Sequence, residues 1–369
     1  MRSKIFLLTV TCAGILAAAS QVAGQIVYGR PASGGVQVTY SHWTLKDTSG
    51  TTKIGQLSAP LQGFLPLSDN FEALVYLAAS SNSLDASGVD SKLSGLSNMQ
   101  MQFSRSFSED RYVLSCGLNL PTGKKQLTAG EEVPVLQMLT QNYLDFPMHR
   151  FGEGFGFNAL LGTARMVGRL KCGGGIAYQY TGEYEPYEGS GDYDPGDVVS
   201  FNAGADWQQD RLTISGNVFY AFYGADKAGG KEAFKQSTQF NLGLSAVYTS
   251  DDFRGTASLA YLLRGRNTLY TGTEDRLKIY GNEFHVRGTA RWTFGQQWFL
   301  APSMQLRLIG ENDEGFGSST IFGLGGAVGR SLGEQINITG GVKYFTGQAD
   351  GGDIDLSGFQ LTAGVTAKL

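Results

Sequence analysis

The sequence predicts an all-β protein, an antiparallel transmembrane β-barrel of about 16 strands, with 14 strands as the alternative. Composition is the first reason, because 52 of the 369 residues are glycine, 22 are phenylalanine and 17 are tyrosine. Glycine costs a helix about 1 kcal/mol relative to alanine, whereas barrel strands use it where neighbours crowd. The second reason is an alternation of apolar with small or polar side chains. The third is the regular order of long and short connections.

The alternation recurs in segments long enough to cross a bilayer as tilted strands. Leu242 and Leu306 lie on the apolar faces of their segments, and Asn241 and Gln305 lie on the polar faces. Because adjacent strand residues point to opposite sides, arginine is expected to be more damaging at the two leucines than at their polar neighbours. The segments are 36–45, 54–66, 70–80, 97–107, 111–120, 153–166, 168–181, 197–208, 211–223, 236–249, 253–265, 281–294, 297–310, 316–331, 334–346 and 355–369.

The connections between these segments follow a pattern of their own. Those after odd-numbered segments are mostly long, and those after even-numbered segments are tight turns such as Gln209-Asp210 and Gly295-Gln296. Bacterial barrels have long external loops and short periplasmic turns, so this order predicts which end of the barrel faces outward. The long connections are 81–96, 121–152, 182–196, 224–235 and 266–280.

The start of the chain is predicted to be a cleaved secretory signal peptide. Arg2 and Lys4 precede a short apolar run, as in such signals. The preferred cleavage point is before Gln25, and the alternative is between Ala19 and Ser20. Export together with the strand pattern predicts a location in the cell outer membrane. The predicted division is a signal peptide at 1–24, a short periplasmic N-terminal segment at 25–35 and the barrel at 36–369.

Charge and hydropathy exclude other classes of protein. The 33 acidic residues outnumber the 29 lysines and arginines, for a formal net charge of −4. Nucleic acid is therefore excluded as a partner, because phosphate binding needs clustered positive charge. No apolar run of 18 residues follows residue 24, which excludes a helical membrane span. The apolar strand faces instead predict outer-membrane lipid as a partner.

The run from 95 to 123 contains two paired segments between two short motifs. The first motif is Gly-Leu-Ser-Asn at 95–98, and the second is Leu-Pro-Thr-Gly at 120–123. Together with the preceding stretch, which contains Pro60, Pro66 and the segment from Phe71 to Ala79, this pattern resembles outer-membrane proteins of the meta-pathway phenol-degradation group, and the similarity covers about a quarter of the chain. That group is usually placed with FadL-like barrels that admit hydrophobic compounds. The resemblance therefore implies a transporter whose partner is a small apolar solute.

The C-terminal residues 362–369 resemble the recognition signal of the barrel-assembly machinery. Gly364, Ala367 and the terminal Leu369 match it, with leucine at the end where phenylalanine is usual. The resemblance implies the barrel-assembly machinery as a protein partner of the chain.

No catalytic site, cofactor or metal is predicted. The three histidines are His42, His149 and His285, and none lies in a segment that resembles the active-site motifs of outer-membrane phospholipases or proteases. A Ser, His and carboxylate set assembled from distant strands is the less favoured alternative. The chain is therefore predicted not to be an enzyme.

Five arginines are predicted to face the lumen from three adjacent strands. They are Arg254, Arg264, Arg287, Arg291 and Arg307. A basic wall of this kind would attract anions or set selectivity, as charged rings do in pores. The favoured alternative is structural pairing with nearby carboxylates. Those carboxylates are Asp206, Glu274, Asp275 and Glu283.

The connection 121–152 differs from the other loops because it is strongly apolar. Exposing such a loop to water would cost about 25 cal/mol per Å². It is therefore predicted to fold inward and narrow the pore, or alternatively to cap the barrel wall. The candidate residues are Val135, Leu136, Met138, Leu139, Tyr143 and Phe146. The segment 181–197 is acidic and rich in tyrosine, and it is expected to be a solvated external loop.

Three functions are compatible with the sequence. The favoured one is an outer-membrane channel for passive uptake of small hydrophobic or aromatic molecules. The first alternative is a general porin for hydrophilic solutes, anions included. The second alternative is a barrel that does not transport and instead presents its loops at the cell surface.

Overall fold

The computed structural model of the chain describes residues 31–86, 88–270, 274–295 and 297–369. The predicted signal peptide lies outside these residues, as does most of the predicted N-terminal segment. The strands are β1 Ser33–Asp47, β2 Gly50–Ser68, β3 Phe71–Ala86, β4 Val89–Leu96, β5 Met99–Phe107, β6 Tyr112–Leu120, β7 Gly156–Val167, β8 Leu170–Thr181, β9 Tyr193–Asp194, β10 Val198–Gln209, β11 Leu212–Tyr223, β12 Ala225–Ala228, β13 Lys231–Lys235, β14 Gln239–Thr249, β15 Phe253–Arg264, β16 Asn267–Tyr270, β17 Glu274–Leu277, β18 Glu283–Phe294, β19 Trp298–Ile309, β20 Ser319–Leu332, β21 Ile336–Ala349 and β22 Ile354–Lys368. Helix α1 spans Glu132–Leu139, and a 3₁₀ turn spans Asp350–Gly352.

Seventeen of these strands form one antiparallel sheet that closes on itself. The first and last strands, β1 and β22, pair along their length, for example Val36 with Val365. Strand β3 pairs with β5 near the periplasmic end and with β4 near the external end. Because β4 and β5 follow each other in one position of the wall, the barrel has 16 wall strands. The predicted fold class and strand count are confirmed, and each predicted segment overlaps a wall strand.

Two solvents of opposite polarity explain why these segments are strands. Outward-facing side chains such as Leu242, 48 % exposed, form an apolar band around the barrel, while inward-facing Ser41 and Ser58 are polar. An apolar surface this extensive belongs in lipid rather than in water. The outward aromatic residues Trp292 and Trp298 lie beside the short turns, as expected of a membrane-interface belt.

The short turns at the periplasmic end are built from residues that accept a left-handed backbone. Gly168 begins the two-residue connection between β7 and β8 with φ 63°. Such hairpin turns need positive φ, which glycine adopts without a Cβ penalty. The described part of the chain contains no helix long and apolar enough to span a bilayer.

The external connections contain more structure than the sequence predicts. Three of the predicted loops, 182–196, 224–235 and 266–280, contribute strands to a second sheet in the order β17-β16-β13-β12-β9. The predicted loop 81–96 is also wrong, because it forms the paired ends of β3 and β4. Outside the bilayer both faces of a sheet can be polar, so these short strands lack the alternation that marks the wall.

Candidate functional site

The chain between β6 and β7 enters the barrel from the external end. We call residues 124–153 the inserted segment. Its side chains share one hydrophobic cluster with inward-facing residues of the wall, among them Trp43 of β1 and Phe345 of β21, whose rings stack at 4.9 Å. The external half of the lumen is therefore filled by this segment along the side formed by β1 to β4 and β19 to β22.

Helix α1 forms the first part of the inserted segment. Its buried residues Glu132, Val133, Val135 and Leu139 follow helical spacing, so one face packs on the wall. Glu132 pairs with Lys124 and accepts a hydrogen bond from the Thr128 amide at 3.0 Å. A carboxylate in the first turn suits the positive end of the helix.

The six candidate residues of this segment all lie against the cluster. Val135, Leu139, Tyr143 and Phe146 are buried, and Leu136 and Met138 are partly buried. The inward fold is thus the one present in the structure.

The two motifs of the run 95–123 meet where the inserted segment leaves the wall. The Asn98 Oδ1 atom accepts hydrogen bonds from the amides of Gly123 at 3.1 Å and Glu153 at 3.4 Å. The Thr122 hydroxyl accepts one from the Met99 amide at 2.9 Å. A Cβ on Gly123 would lie 2.7 Å from the Leu96 carbonyl oxygen, so this position requires glycine. The motif residues therefore hold both ends of the inserted segment together.

Polar side chains of the wall hold the far end of the inserted segment. Gln56 of β2 is buried and makes a pair of hydrogen bonds with the Met148 backbone, donating to the carbonyl at 2.5 Å and accepting from the amide at 2.9 Å. Arg307 of β19 donates to the carbonyls of Asn142 and of Leu144, the latter at 3.4 Å. The side-chain Nδ2 of Asn142 donates a hydrogen bond to Glu283 Oε1 of β18 at 3.1 Å. Sequence periodicity places these wall residues inward but gives no signal of their partners.

The five candidate arginines line the lumen side of β15, β18 and β19. Two form ion pairs: Arg264 with Glu283 at 2.5 Å, and Arg307 with Asp145 at 4.0 Å. Arg291 lies over the Phe299 ring at 3.8 Å. Within the described residues no ion pair involves Arg254, Arg287 or Arg291.

Of the four carboxylates that the sequence suggested as partners of these arginines, only Glu283 forms an ion pair with one of them in the described residues. Glu283 pairs with Arg264, whereas Glu274 pairs with Arg276. The carboxylate beside Arg307 belongs instead to the inserted segment, which the sequence alone could not place there. On the opposite wall, Gly175, Asn202 and Asn217 present small and polar groups to the lumen, and a buried cluster that includes Phe219 and Tyr223 lies nearer the external end of β10 and β11.

A pocket with a cavity volume of about 100 Å³, open to solvent, lies at the external mouth between the inserted segment and the connection after β8. Its apolar lining includes Leu127, Leu136, Phe151, Tyr184, Pro186, Tyr187 and Tyr193. Its polar lining includes Lys124, Lys125, His149, Arg150, Glu153 and Asp192. The expectation that 181–197 is a solvated loop is wrong for Tyr193, which is buried, while Tyr184 and Tyr187 are partly buried.

One side of this pocket contains a coupled set of ionisable groups. Burial raises the pKa of the Glu153 carboxyl, and the neighbouring Arg150, at 3.4 Å, partly offsets this rise. Burial and the Arg150 charge lower the pKa of His149. The histidine is therefore neutral at pH 7.

The other two histidines and the C-terminal residues lie on wall strands or at their ends. His285 of β18 lies 2.8 Å from Glu283, and His42 is on β1 beside Phe359. Ala367 pairs with Gly34 in the closing strands, and Leu369 is exposed beyond them. Gly364 pairs with Gln37.

A buried carboxyl supports the external sheet beside the pocket. Asp226 of β12 accepts hydrogen bonds from the Tyr193 hydroxyl and, at 2.7 Å, from the Gly196 amide. Burial nevertheless raises its pKa from 3.8 to about 6. A raised pKa in the folded state stabilises the sheet below about pH 4 and removes that stability as the pH rises through about 6.

We therefore expect the external sheet to be less stable at pH 7.5 than at pH 4.5, by up to about 2 kcal/mol. Hydrogen exchange of β9 and β12, corrected for the intrinsic pH dependence, measures this difference. The Asp226→Asn variant, which mimics the protonated acid, should lose it. Equal pH dependence in both proteins would contradict the role of Asp226.

No protein-family model and no curated protein matches the sequence. Among solved structures, a Pseudomonas aeruginosa FadL homologue is 10 % identical over 92 % of this chain and 90 % of its own, with TM-score 0.46. The CymD monoaromatic hydrocarbon channel is 14 % identical over 96 % and 92 %, with TM-score 0.45. An anion-selective porin from Comamonas acidovorans is 12 % identical over 91 % and 98 %, with TM-score 0.43. The likeness to the phenol-degradation group thus rests on residues 95–123.

Proposed function

We propose that this chain is an outer-membrane channel for passive uptake of small hydrophobic or aromatic molecules. The observation that carries the proposal is the apolar pocket at the external mouth, formed between the inserted segment and the tyrosines that follow β8. Small-molecule sites are typically concave and mostly apolar, and the leucine, phenylalanine, proline and tyrosine side chains of this pocket supply an apolar lining beside its charged groups.

The pocket adjoins the apolar interior of the inserted segment. Leu136 lines the pocket and also packs against the cluster that includes Trp43 and Phe345. A solute bound at the mouth therefore contacts the same segment that fills the external half of the lumen. Movement of this segment would let the solute pass into the polar periplasmic half of the barrel.

Replacing Leu136 with glutamate should reduce uptake of an apolar solute by about tenfold at limiting concentration. A carboxylate in this apolar lining costs a bound hydrocarbon more than about 1.4 kcal/mol, which corresponds to a tenfold loss of affinity. The measurement is the initial rate of uptake of radiolabelled toluene by intact cells that carry the variant as their only copy. Intact cells are required because toluene crosses simple lipid vesicles without a protein.

Val89→Glu is the matched control, because Val89 is exposed at the tip of the hairpin between β3 and β4, away from the pocket. It should leave toluene uptake unchanged. If cells lacking the protein took up toluene as fast as the wild type, the channel proposal for apolar solutes would be wrong.

A porin for hydrophilic anions is the second candidate, favoured by Arg254 and Arg287, lumen arginines without an ion pair in the described residues. Uptake measurements in the same cells distinguish these two candidate functions. A porin would admit arabinose rapidly and would be insensitive to Leu136→Glu. A barrel that only presents its loops would alter the uptake of neither solute.

A further inference from the structure

Asp145 of the inserted segment lies near three cationic side chains of the wall, those of Arg287, Arg307 and Lys343. We propose that Arg287, Gln305, Arg307 and Lys343 form a binding site for the carboxylate of a solute, and that Asp145 occupies this site as an internal ligand. The inference rests on the proposed uptake function and adds small organic acids to its substrate class.

The contacts of Asp145 define the site. Gln305 donates a hydrogen bond from Nε2 to Asp145 Oδ2 at 3.3 Å, and Arg307 Nη1 lies 4.0 Å from Oδ1. Lys343 Nζ donates a hydrogen bond to the Oε1 atom of the same Gln305 side chain at 2.5 Å. Gln305 is therefore a fixed bridge between the carboxylate and the lysine, and it is only 2 % exposed.

Register and a glycine bring these groups together from separate strands. Arg287 of β18 is directly opposite Gln305 of β19. The next strand, β20, places Gly323 opposite Gln305, where a Cβ would lie 2.9 Å from the glutamine Cγ. Two residues along β20, Gly325 lies opposite Lys343 of β21, where a Cβ would lie 2.8 Å from the lysine Cβ, so the absence of a side chain at Gly325 leaves room for Lys343.

The site holds more positive charge than Asp145 can neutralise. Arg307 uses its guanidinium mainly for backbone carbonyls of the inserted segment, and its Nε has no hydrogen-bond partner. Lys343 donates to a neutral amide, and no ion pair involves Arg287 in the described part of the chain. Burial raises the pKa of the Asp145 carboxyl, but Arg307, Lys343 and Arg287 outweigh burial, and the net shift is downward. Asp145 is thus a bound anion at neutral pH.

An incoming solute can reach this carboxylate. The Asp145 side chain is 36 % exposed and Arg287 is exposed, although Gln305 and Arg307 beneath them are buried. A solute carboxylate that replaces Asp145 would keep the cations neutralised and would remove one of the polar contacts that hold residues 142–148 on the wall. Binding of an organic acid is therefore coupled to release of the segment that fills the lumen.

Titration calorimetry with sodium benzoate on the folded full barrel in detergent tests the site. The Asp145→Asn variant has nearly the same shape and loses the competing charge, so we expect it to bind benzoate at least about tenfold more tightly than the wild type. Adding Lys343→Gln to Asp145→Asn should reverse most of the gain. Benzamide, which has the same ring without the charge, should bind both proteins equally.

Asp206→Asn is the control, because it removes a carboxylate from β10 on the opposite wall and should leave benzoate affinity unchanged. Unaltered or weaker benzoate binding by Asp145→Asn would overturn the site, as would an equal gain for benzamide. Should Asp145→Asn fail to fold, Asp145→Ser carries the same expectation. Calorimetry needs no transport, so a failed anion site leaves the toluene result intact, and a failed toluene result leaves this measurement interpretable.

Discussion

Arginine at Leu242 should destabilise the barrel by about 2 to 4 kcal/mol, the range for a basic residue facing lipid near the bilayer midplane. Leu242 lies in the middle part of β14, points outward and is 48 % exposed to the surroundings of the barrel. Hydrocarbon cannot solvate a guanidinium, so the side chain must bend to the interface or draw water into the membrane. Urea titration of the folded barrel, followed by its heat-modifiable migration on gels, measures the loss.

The adjacent residue supplies the control for this substitution. Asn241 points into the lumen, and its Oδ1 atom makes no hydrogen bond that arginine would remove. Asn241→Arg should therefore cost much less than Leu242→Arg. Comparable losses at both positions would mean that the wall does not separate lipid from water as the structure indicates.

Strand periodicity was sufficient to predict the barrel because each wall strand separates two solvents. The same period assigns Leu242 outward and Asn241 inward without any knowledge of their neighbours. The even count and the order of long and short connections then follow from closure of the sheet. The fold was predictable because it depends on local pattern alone.

Periodicity was not sufficient to predict how an inward side chain is surrounded. The alternation predicts that Gln305, like Asn241, tolerates arginine better than the adjacent leucine. In the structure Gln305 lies between Asp145 and Lys343 and is almost fully buried, so an arginine there would face the cations of Lys343 and Arg307. We therefore expect a higher cost at Gln305 than at Asn241, a difference that the alternation of β19 does not reveal because the contact with Asp145 spans about 160 residues of sequence.

The candidate site was also predictable from the sequence only in part. The apolar character of the connection 121–152 predicted that it would leave the solvent, since exposed hydrocarbon is costly. The wall of the pocket formed by Tyr184, Tyr187 and Tyr193 was missed, because an acidic, tyrosine-rich composition is also typical of solvated loops. Tyrosine rings bury apolar area while leaving a polar group available, so composition alone does not distinguish the two situations.

Replacing Arg307 with methionine should release the end of the inserted segment from the wall. Arg307 is buried, and its loss would leave the carbonyls of Asn142 and Leu144 without their donor and Asp145 without its paired cation. Removing one partner from a buried charged network costs about 3 to 5 kcal/mol. Because the segment can detach while the closed wall persists, we expect this cost to appear as local opening rather than as unfolding of the barrel.

Two measurements report that opening in the Arg307→Met variant. Hydrogen exchange of the amides in residues 142–148 should accelerate by about a hundredfold, the factor that corresponds to about 3 kcal/mol. Single-channel conductance in a planar bilayer should rise above that of the wild type, because the segment no longer fills the external half of the lumen. The control is Lys171→Met, which removes a lumen cation at the periplasmic end of β8 and touches no part of the segment. Slow exchange and unchanged conductance in Arg307→Met would show that the apolar cluster around Trp43 and Phe345 holds the segment without help from this arginine.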